Sequence, residues 1–332
     1  MNLNRLPRFV MTLLLAVSLT ACNQTKEKKV EEPVAENSAE SAEPFFKISL
    51  AQWSLSKPIM EGDLDPMDFP EKASEMGFEA IEYVSAFYGE RAKKADNPEL
   101  ALQGILDTLK AKSEEFEVQN VLIMVDGEGD LASSSEEERN QAVENHKKWV
   151  DAAQFLGCHS IRVNLFGSTE PEEWKKNSID GLTKLSEYAA TKNINVLVEN
   201  HGYLSSNAAL LAEVFEAVEN PNCGSLPDFG NFCLKREGGA LWEAACIEEY
   251  PRYQGVEELM PYAFAVSAKS YDFNEEGEET TIDYERMLQI VEDAGYTGHI
   301  GIEYEGTRLS AEEGIQATRD LLVEVGTRLN QQ

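Results

Sequence analysis

From about residue 45 the chain repeats one unit: a short apolar run, a polar break, then a longer stretch with apolar residues at helical spacing. Strands are predicted over 46–55, 78–85, 118–125, 160–166, 195–199, 225–229, 263–267 and 299–303. Between them lie helical stretches with their own start signals. Asp65 precedes Pro66, Asn97 precedes Pro98, Ser135 leads three glutamates into a long helix to Leu156, and Glu170 precedes Pro171. Further helices are predicted over 207–218, 256–260, 284–293 and 311–329, with a longer connection through 233–253. Eight strand–helix units in about 285 residues is the size of a (β/α)8 TIM barrel. An open doubly wound sheet would carry a Gly-rich phosphate turn after its first strand, and Trp53-Ser54-Leu55-Ser56 stands there instead.

In such a barrel, ligands gather where the strands end. Asn195-Val196-Leu197-Val198 is apolar and then turns at once to Glu199-Asn200-His201-Gly202. A lone carboxylate at that point would be costly to bury without a cation, a metal or a donor. Two other strands close the same way, in Leu226-Pro227-Asp228-Phe229-Gly230 and Ile302-Glu303-Tyr304-Glu305-Gly306. Three acids at three strand ends mark a site. Arg162 and Asn164 share one face of the fourth strand, Glu82 ends the second, and Lys269 and Tyr271 follow the seventh on one parity. Of the four histidines, His159 and His299 start strands and fall at the opposite, stabilising face. His146 sits in a helix as a surface or packing residue, and His201 alone lies past a strand's C-terminal end.

Charge narrows the partners. With 29 Lys+Arg against 60 Asp+Glu, the net charge of -31 argues against nucleic acid, which needs clustered cations. Residues 1–21 have Arg5 and Arg8 ahead of an apolar run over 9–19, too short to span a bilayer, ending in Leu19-Thr20-Ala21-Cys22. This reads as a secretory signal and is similar to a bacterial lipobox. By that resemblance Cys22 becomes the lipidated first residue, residues 22–44 a disordered acidic tether, and 45–332 the barrel of an envelope protein held to a membrane by lipid. The sequence does not decide which membrane face. Cys158, Cys223, Cys233 and Cys246 contain no Cys-x-x-Cys pair. Cys233 with Cys246 is the spacing open to oxidation, but buried free thiols are the expectation.

The motifs Val198-Glu199-Asn200-His201, Pro227-Asp228-Phe229-Gly230-Asn231, Val266-Ser267-Ala268-Lys269 and Gly301-Ile302-Glu303-Tyr304 resemble the sugar phosphate isomerase/epimerase family. These are the xylose isomerase-like barrels, which also include apurinic endonucleases of the same fold. The resemblance implies one divalent ion held by Glu199, Asp228 and Glu303. Two positions depart from the family: Asn231 stands where a histidine often follows the strand-six aspartate, and Ser267 where strand seven gives a histidine ligand, while Lys269 matches the family lysine. The ion is then expected on three carboxylates and water, with His201 as a substitute ligand, and Lys269 as the rival that fills the charge role without a metal. Oxygen donors favour Mn²⁺ or Mg²⁺.

The chemistry that needs such groups is proton removal from the carbon beside a carbonyl. A Lewis acid on the oxygens lowers its cost, Glu199 and Glu303 take and return the proton, and Lys269 with the His201 imidazole neutralises developing charge. Glu82, Arg162 and Asn231 are expected to touch substrate. With no Gly-rich turn or basic cluster after strands seven and eight, the expected substrate is a free sugar, keto-sugar, polyol ketone or glycoside, not a sugar phosphate. β-Elimination from a keto-glycoside begins with the same step, and a non-catalytic carbohydrate-binding lipoprotein is the alternative from another class.

Overall fold

The computed structural model describes residues 43–331 except 241 and 243. The signal segment, Cys22 and nearly all of the tether lie outside the described residues. In chain order the elements are β1 (Lys47–Ala51), α1 (Ser56–Glu61), α2 (Phe69–Glu75), β2 (Ala80–Val84), α3 (Ser85–Lys93), α4 (Pro98–Glu115), β3 (Gln119–Val125) and α5 (Glu136–Leu156). There follow β4 (Ser160–Val163), α6 (Pro171–Ala190), β5 (Asn195–Glu199), α7 (Ala208–Val218) and β6 (Cys223–Leu226). The chain ends with β7 (Cys233–Arg236), β8 (Cys246–Glu249), α8 (Arg252–Leu259), β9 (Val266–Ser270), α9 (Tyr284–Asp293), β10 (His299–Tyr304) and α10 (Ala311–Leu329).

Eight strands pair in parallel in the order β6-β5-β4-β3-β2-β1-β10-β9. Parallel bridges Ser225↔Ala263 and Asp228↔Ser267 join the two ends, so the sheet closes into a (β/α)8 barrel. Alternation along each strand divides the side chains. On β5, Val196 and Val198 face outward into the main apolar layer beneath the helices. Leu197 faces inward with Val84, Leu122, Met124 and Leu226 in a small plug. Above that plug the interior turns polar.

The helix signals hold in detail. Asn97, Ser135 and Asn207 each accept a backbone N–H of the first turn they precede, and Ser310 with Glu313 forms a capping box.

Three expectations change. The first strand stops at Ala51, not at residue 55, because buried Gln52 replaces the ladder with its side chain: Val84 N–H donates to its Oε1 at 2.9 Å, and its Nε2 donates to Tyr88 Oη at 2.7 Å. Helix α3 follows β2 without a linker, and its buried residues Ser85, Tyr88 and Ala92 give little apolar periodicity. Cys233 and Cys246 are not free thiols. They form a disulfide, with Cα atoms 5.8 Å apart, across the antiparallel β7–β8 hairpin that fills the long connection. Cys158 and Cys223 are free, as expected. His146 is buried and so is a packing residue.

Candidate active site

Glu199 at the tip of β5, Asp228 just past β6, Ser267 and Lys269 on β9 and Glu303 on β10 stand side by side around the C-terminal rim. One oxygen from each of Glu199, Asp228 and Glu303 lies within 4.8 Å of the others. Glu82, Arg162, Glu199, Asp228, Lys269 and Glu303 are each at most 4% exposed, so water screens none of these charges. Buried ions at this density need fixed partners.

The partners come from the loops. Asn200, next to Glu199, is fully buried and clamps the neighbouring strand end. Its Oδ1 accepts from Asp228 N–H at 2.8 Å, and its Nδ2 donates to the carbonyls of Asp228 and Asn231 at 3.0 and 3.2 Å. Asp228 Oδ1 accepts the N–H groups of Gly230 and Asn231, both at 2.8 Å. The tight turn after β6 therefore aims Oδ2 into the barrel. Asn231 Nδ2 donates to Glu199 Oε1 at 2.9 Å, so this residue positions a carboxylate. Arg162 donates through Nη1 to Asp126 at 2.9 Å. Its Nε lies 2.8 Å from Glu199 Oε2, a charge pair whose N–H is not aligned for a hydrogen bond.

Lys269 Nζ is 2.9 Å from Glu303, 3.1 Å from Glu305 and 3.7 Å from Asp228. Burial works against its charge, but these carboxylates outweigh burial and hold the ammonium well above its usual range. Ser267, in the family's histidine position, places Oγ 2.7 Å from Asp228 Oδ2 and 2.9 Å from Glu303 Oε2. A hydroxyl has one hydrogen, so it can donate to only one of these carboxyls, and the other is satisfied by a proton of its own or by a shared ion. For Asp228, burial, joined by repulsion from Glu199 and Glu303 against the pull of Lys269, pushes it up to about 8. Burial likewise raises Glu199 to about 7, against the opposing pull of Arg162.

Glu82 lies deeper, inside β2 and not at its end. Ser49 Oγ donates to it at 2.6 Å, and Gly301 leaves it room, since a Cβ there would fall 2.5 Å from its Oε1. Burial raises Glu82 to about 7. His201 Nδ1 lies 2.6 Å from Asn164 Oδ1, whose Nδ2 donates to Asp126 at 2.6 Å. An amide oxygen only accepts, so Nδ1 carries the hydrogen and Nε2 is bare. Burial, with Arg162 and Lys269 nearby, depresses this imidazole to about 4. This places His201 as a neutral acceptor at neutral pH.

Asp126, Glu305, Trp53 and Asn200 were not singled out in the sequence. Asp126 and Glu305, both partly exposed, are held below the usual carboxylate range against their desolvation by Arg162 and Lys269 respectively, and Trp53 Nε1 donates to Glu305 at 2.6 Å. Asp126-Gly127 after the third strand was the available signal for one of them.

The donor set fits a divalent ion. Arg162 and Lys269 are two cations among six carboxylates: Glu82, Asp126, Glu199, Asp228, Glu303 and Glu305. The three inner acids, with oxygens within 4.8 Å of one another, offer the hard ligands that such an ion would take.

Residues 70–324 match the xylose isomerase-like TIM barrels. The chain belongs to that family. Among curated proteins, it is 28% identical over 160 residues to an inosose isomerase of Halalkalibacterium halodurans, covering 46% of this chain and 55% of that protein. It is 42% identical over 48 residues to the 3'-dehydrocarminate deglycosidase alpha subunit of a Microbacterium, 14% of each. The chain thus spans about half or less of the curated relatives it matches. Among solved structures, a zinc-bound IolI protein has a TM-score of 0.62 at 16% identity, over 85% of this chain and 99% of that one. A magnesium-bound xylose isomerase-like barrel from Mycobacterium smegmatis has a TM-score of 0.59 at 15% identity, over 85% and 97%. Both show the fold.

Proposed function

We propose that this barrel is a divalent-metal-dependent isomerase or epimerase of a free sugar, keto-sugar or polyol ketone, working by proton transfer at the carbon beside a carbonyl. The observation that carries this reading is the placement of Glu199 and Glu303 on either side of Asp228 and Lys269, all buried. Two carboxylates bracketing one site can take a proton from a carbon and return it. A pure carbohydrate binder has no use for such a pair. The curated relatives support the substrate class by their names, one an inosose isomerase and one a 3'-dehydrocarminate deglycosidase subunit.

Glu199, Asp228 and Glu303 would hold the ion, with Mn²⁺ or Mg²⁺ favoured by their hard oxygens. When bound, the ion supplies Lewis-acid polarisation of the carbonyl. The chain does the rest. Arg162 and Asn231 fix the Glu199 carboxylate so that it can receive the proton, and Lys269 keeps Glu303 oriented to return one. Neutral His201 accepts from a substrate hydroxyl through Nε2, and Lys269 stabilises negative charge on oxygen as it develops. Glu82, held by Ser49 Oγ, keeps the part in substrate contact first expected of it.

β-Elimination from a keto-glycoside is the second reading, favoured by the local match to the deglycosidase subunit and sharing the first proton step. Incubating the protein with Mn²⁺ and a panel of keto-sugars in deuterium oxide tests both. Label at the α-carbon with recovered sugar means isomerase or epimerase, and release of an aglycone means lyase. Unlabelled, intact sugar across the panel leaves a binding protein. We further propose lipidation at Cys22 and a place in the cell envelope, on the signal-like residues 1–22.

A further inference from the structure

Beside the acidic centre, and separate from it, lies a cavity of about 630 Å³. Its walls come from the loops after β3, β4 and β5 and from the β7–β8 connection. They include Phe166, Trp174, Tyr203, Leu204, Trp242 and His146. None of Glu199, Asp228 and Glu303 lines it. The cavity reaches the acidic cluster through Asn164, which lines it and binds His201, whose ring lies 4.8 Å from that of Trp242. We propose that this cavity is a second subsite that takes a flat, uncharged aromatic group attached to the sugar, making the substrate class an aryl glycoside. This rests on the reading of the acidic centre as a sugar site.

Size and composition place the cavity among ligand pockets, which run to roughly 300–1,000 Å³ and are mostly apolar. The occupant follows from the polar side chains deep in the wall, which are already engaged; Asp130 and Thr169, without side-chain hydrogen bonds among the described residues, sit at the exposed rim. Glu128 accepts from Trp149 Nε1 at 2.9 Å and from Lys148 Nζ at 2.7 Å. Trp174 Nε1 donates to Leu165 O at 2.9 Å, and Tyr203 Oη donates to Ala240 O. The Asn164 amide is bound at both ends. A second sugar ring would bring several hydroxyls into a wall with few free partners, at a desolvation cost. An aromatic ring brings none and gains by packing against Phe166 and Trp242. His146 also lines the cavity; it donates through Nδ1 to Ala142 O at 2.7 Å, so Nε2 keeps a lone pair. That acceptor suits a ring hydroxyl.

The cavity is preformed. Gly167 (φ +148°) lies so close to Ala132 that a Cβ would fall 2.1 Å from its backbone, and the two residues bridge, locking the loops after β3 and β4 together. Trp242 at the mouth is 43% exposed, leaving a large apolar face for a ligand to cover.

Isothermal titration of the full-length, Mn²⁺-loaded protein with phenyl and methyl β-D-glucosides tests the subsite. Phenyl glucoside is expected to bind about tenfold or more tightly, from burial of one ring. Thr169→Trp, which crowds the cavity from its exposed rim, should cut that advantage to below about threefold and leave methyl glucoside affinity within about twofold. Trp242→Ala, at a position 43% exposed, should also reduce the phenyl advantage and decides the matter if the first variant fails to fold. Equal affinities in the unmodified protein, an advantage that survives substitution, or no binding of either glucoside overturns the proposal. The outcome is separable from the catalytic reading: aryl preference without deuterium labelling would keep the subsite and lose the enzyme, and labelling without aryl preference the reverse.

Discussion

At the scale of single residues, the centre is a competition between burial and charge. Asp228 is the sharpest case, because it is fully buried, pushed up to about 8, and yet set to ligate a cation. Asp228→Asn should therefore weaken Mn²⁺ binding by more than the roughly 10–100-fold typical of losing an outer partner of a ligand, measured by equilibrium dialysis. If Lys269 alone balances the acids, the native protein will contain no stoichiometric metal and chelation will not change its melting temperature. The sign of the pH effect follows from the raised values. Asp228, Glu199 and Glu82 bind protons more tightly folded than unfolded, so in the metal-free protein these three groups hold more protons in the native state. Their contribution to stability is fullest below the unfolded carboxylate range near pH 4 and is lost as pH rises through about 7 to 8, whereas Asp126 and Glu305, held low, lose theirs only in acid. Urea unfolding at intervals across that window should show the decline, and excess Mn²⁺ should flatten it.

Whole elements show what a sequence makes legible. Helices α5 and α10 run over the ranges read from their caps and acidic first turns, since these signals are local. The end of β1 was hidden because a tertiary bond from Gln52 to β2 ends it, and α3 because its buried face is small. In the site, Glu199, Asp228 and Glu303 stood out as acids at the ends of apolar runs. Asn200 did not, because nothing in its neighbourhood announces that its amide will hold the next strand end. The disulfide was hidden for the same reason: thirteen residues of separation admit a pair without requiring one. That disulfide closes a hairpin with few barrel contacts, so reduction should loosen it locally. Brief trypsin treatment under reducing conditions is expected to cut after Lys235 or Arg236, with the oxidised protein intact there and the barrel's melting temperature within about 2 °C in both states. Mass spectrometry of the fragments reads the result.

For the molecule as a whole, no described helix is long and apolar enough to cross a membrane. If residues 1–22 deliver a lipid anchor, Cys22→Ser should shift the protein from the membrane to the soluble fraction on ultracentrifugation, with an unchanged far-ultraviolet circular dichroism spectrum. Retention of the folded variant in the membrane would refute lipidation as the anchor. Ser267 reaches to this scale as well. One hydroxyl hydrogen serving two carboxyls means that the centre stores a dissociable proton when no ion is bound. Loading the ion must then expel it, and the barrel becomes an exchanger of acid for metal. Calorimetric titrations with Mn²⁺ in buffers of different ionisation enthalpy should give a slope of about one proton released per ion near pH 7. Uptake would then weaken steeply in an acidifying medium, tying the loading of the protein to the acidity of its surroundings.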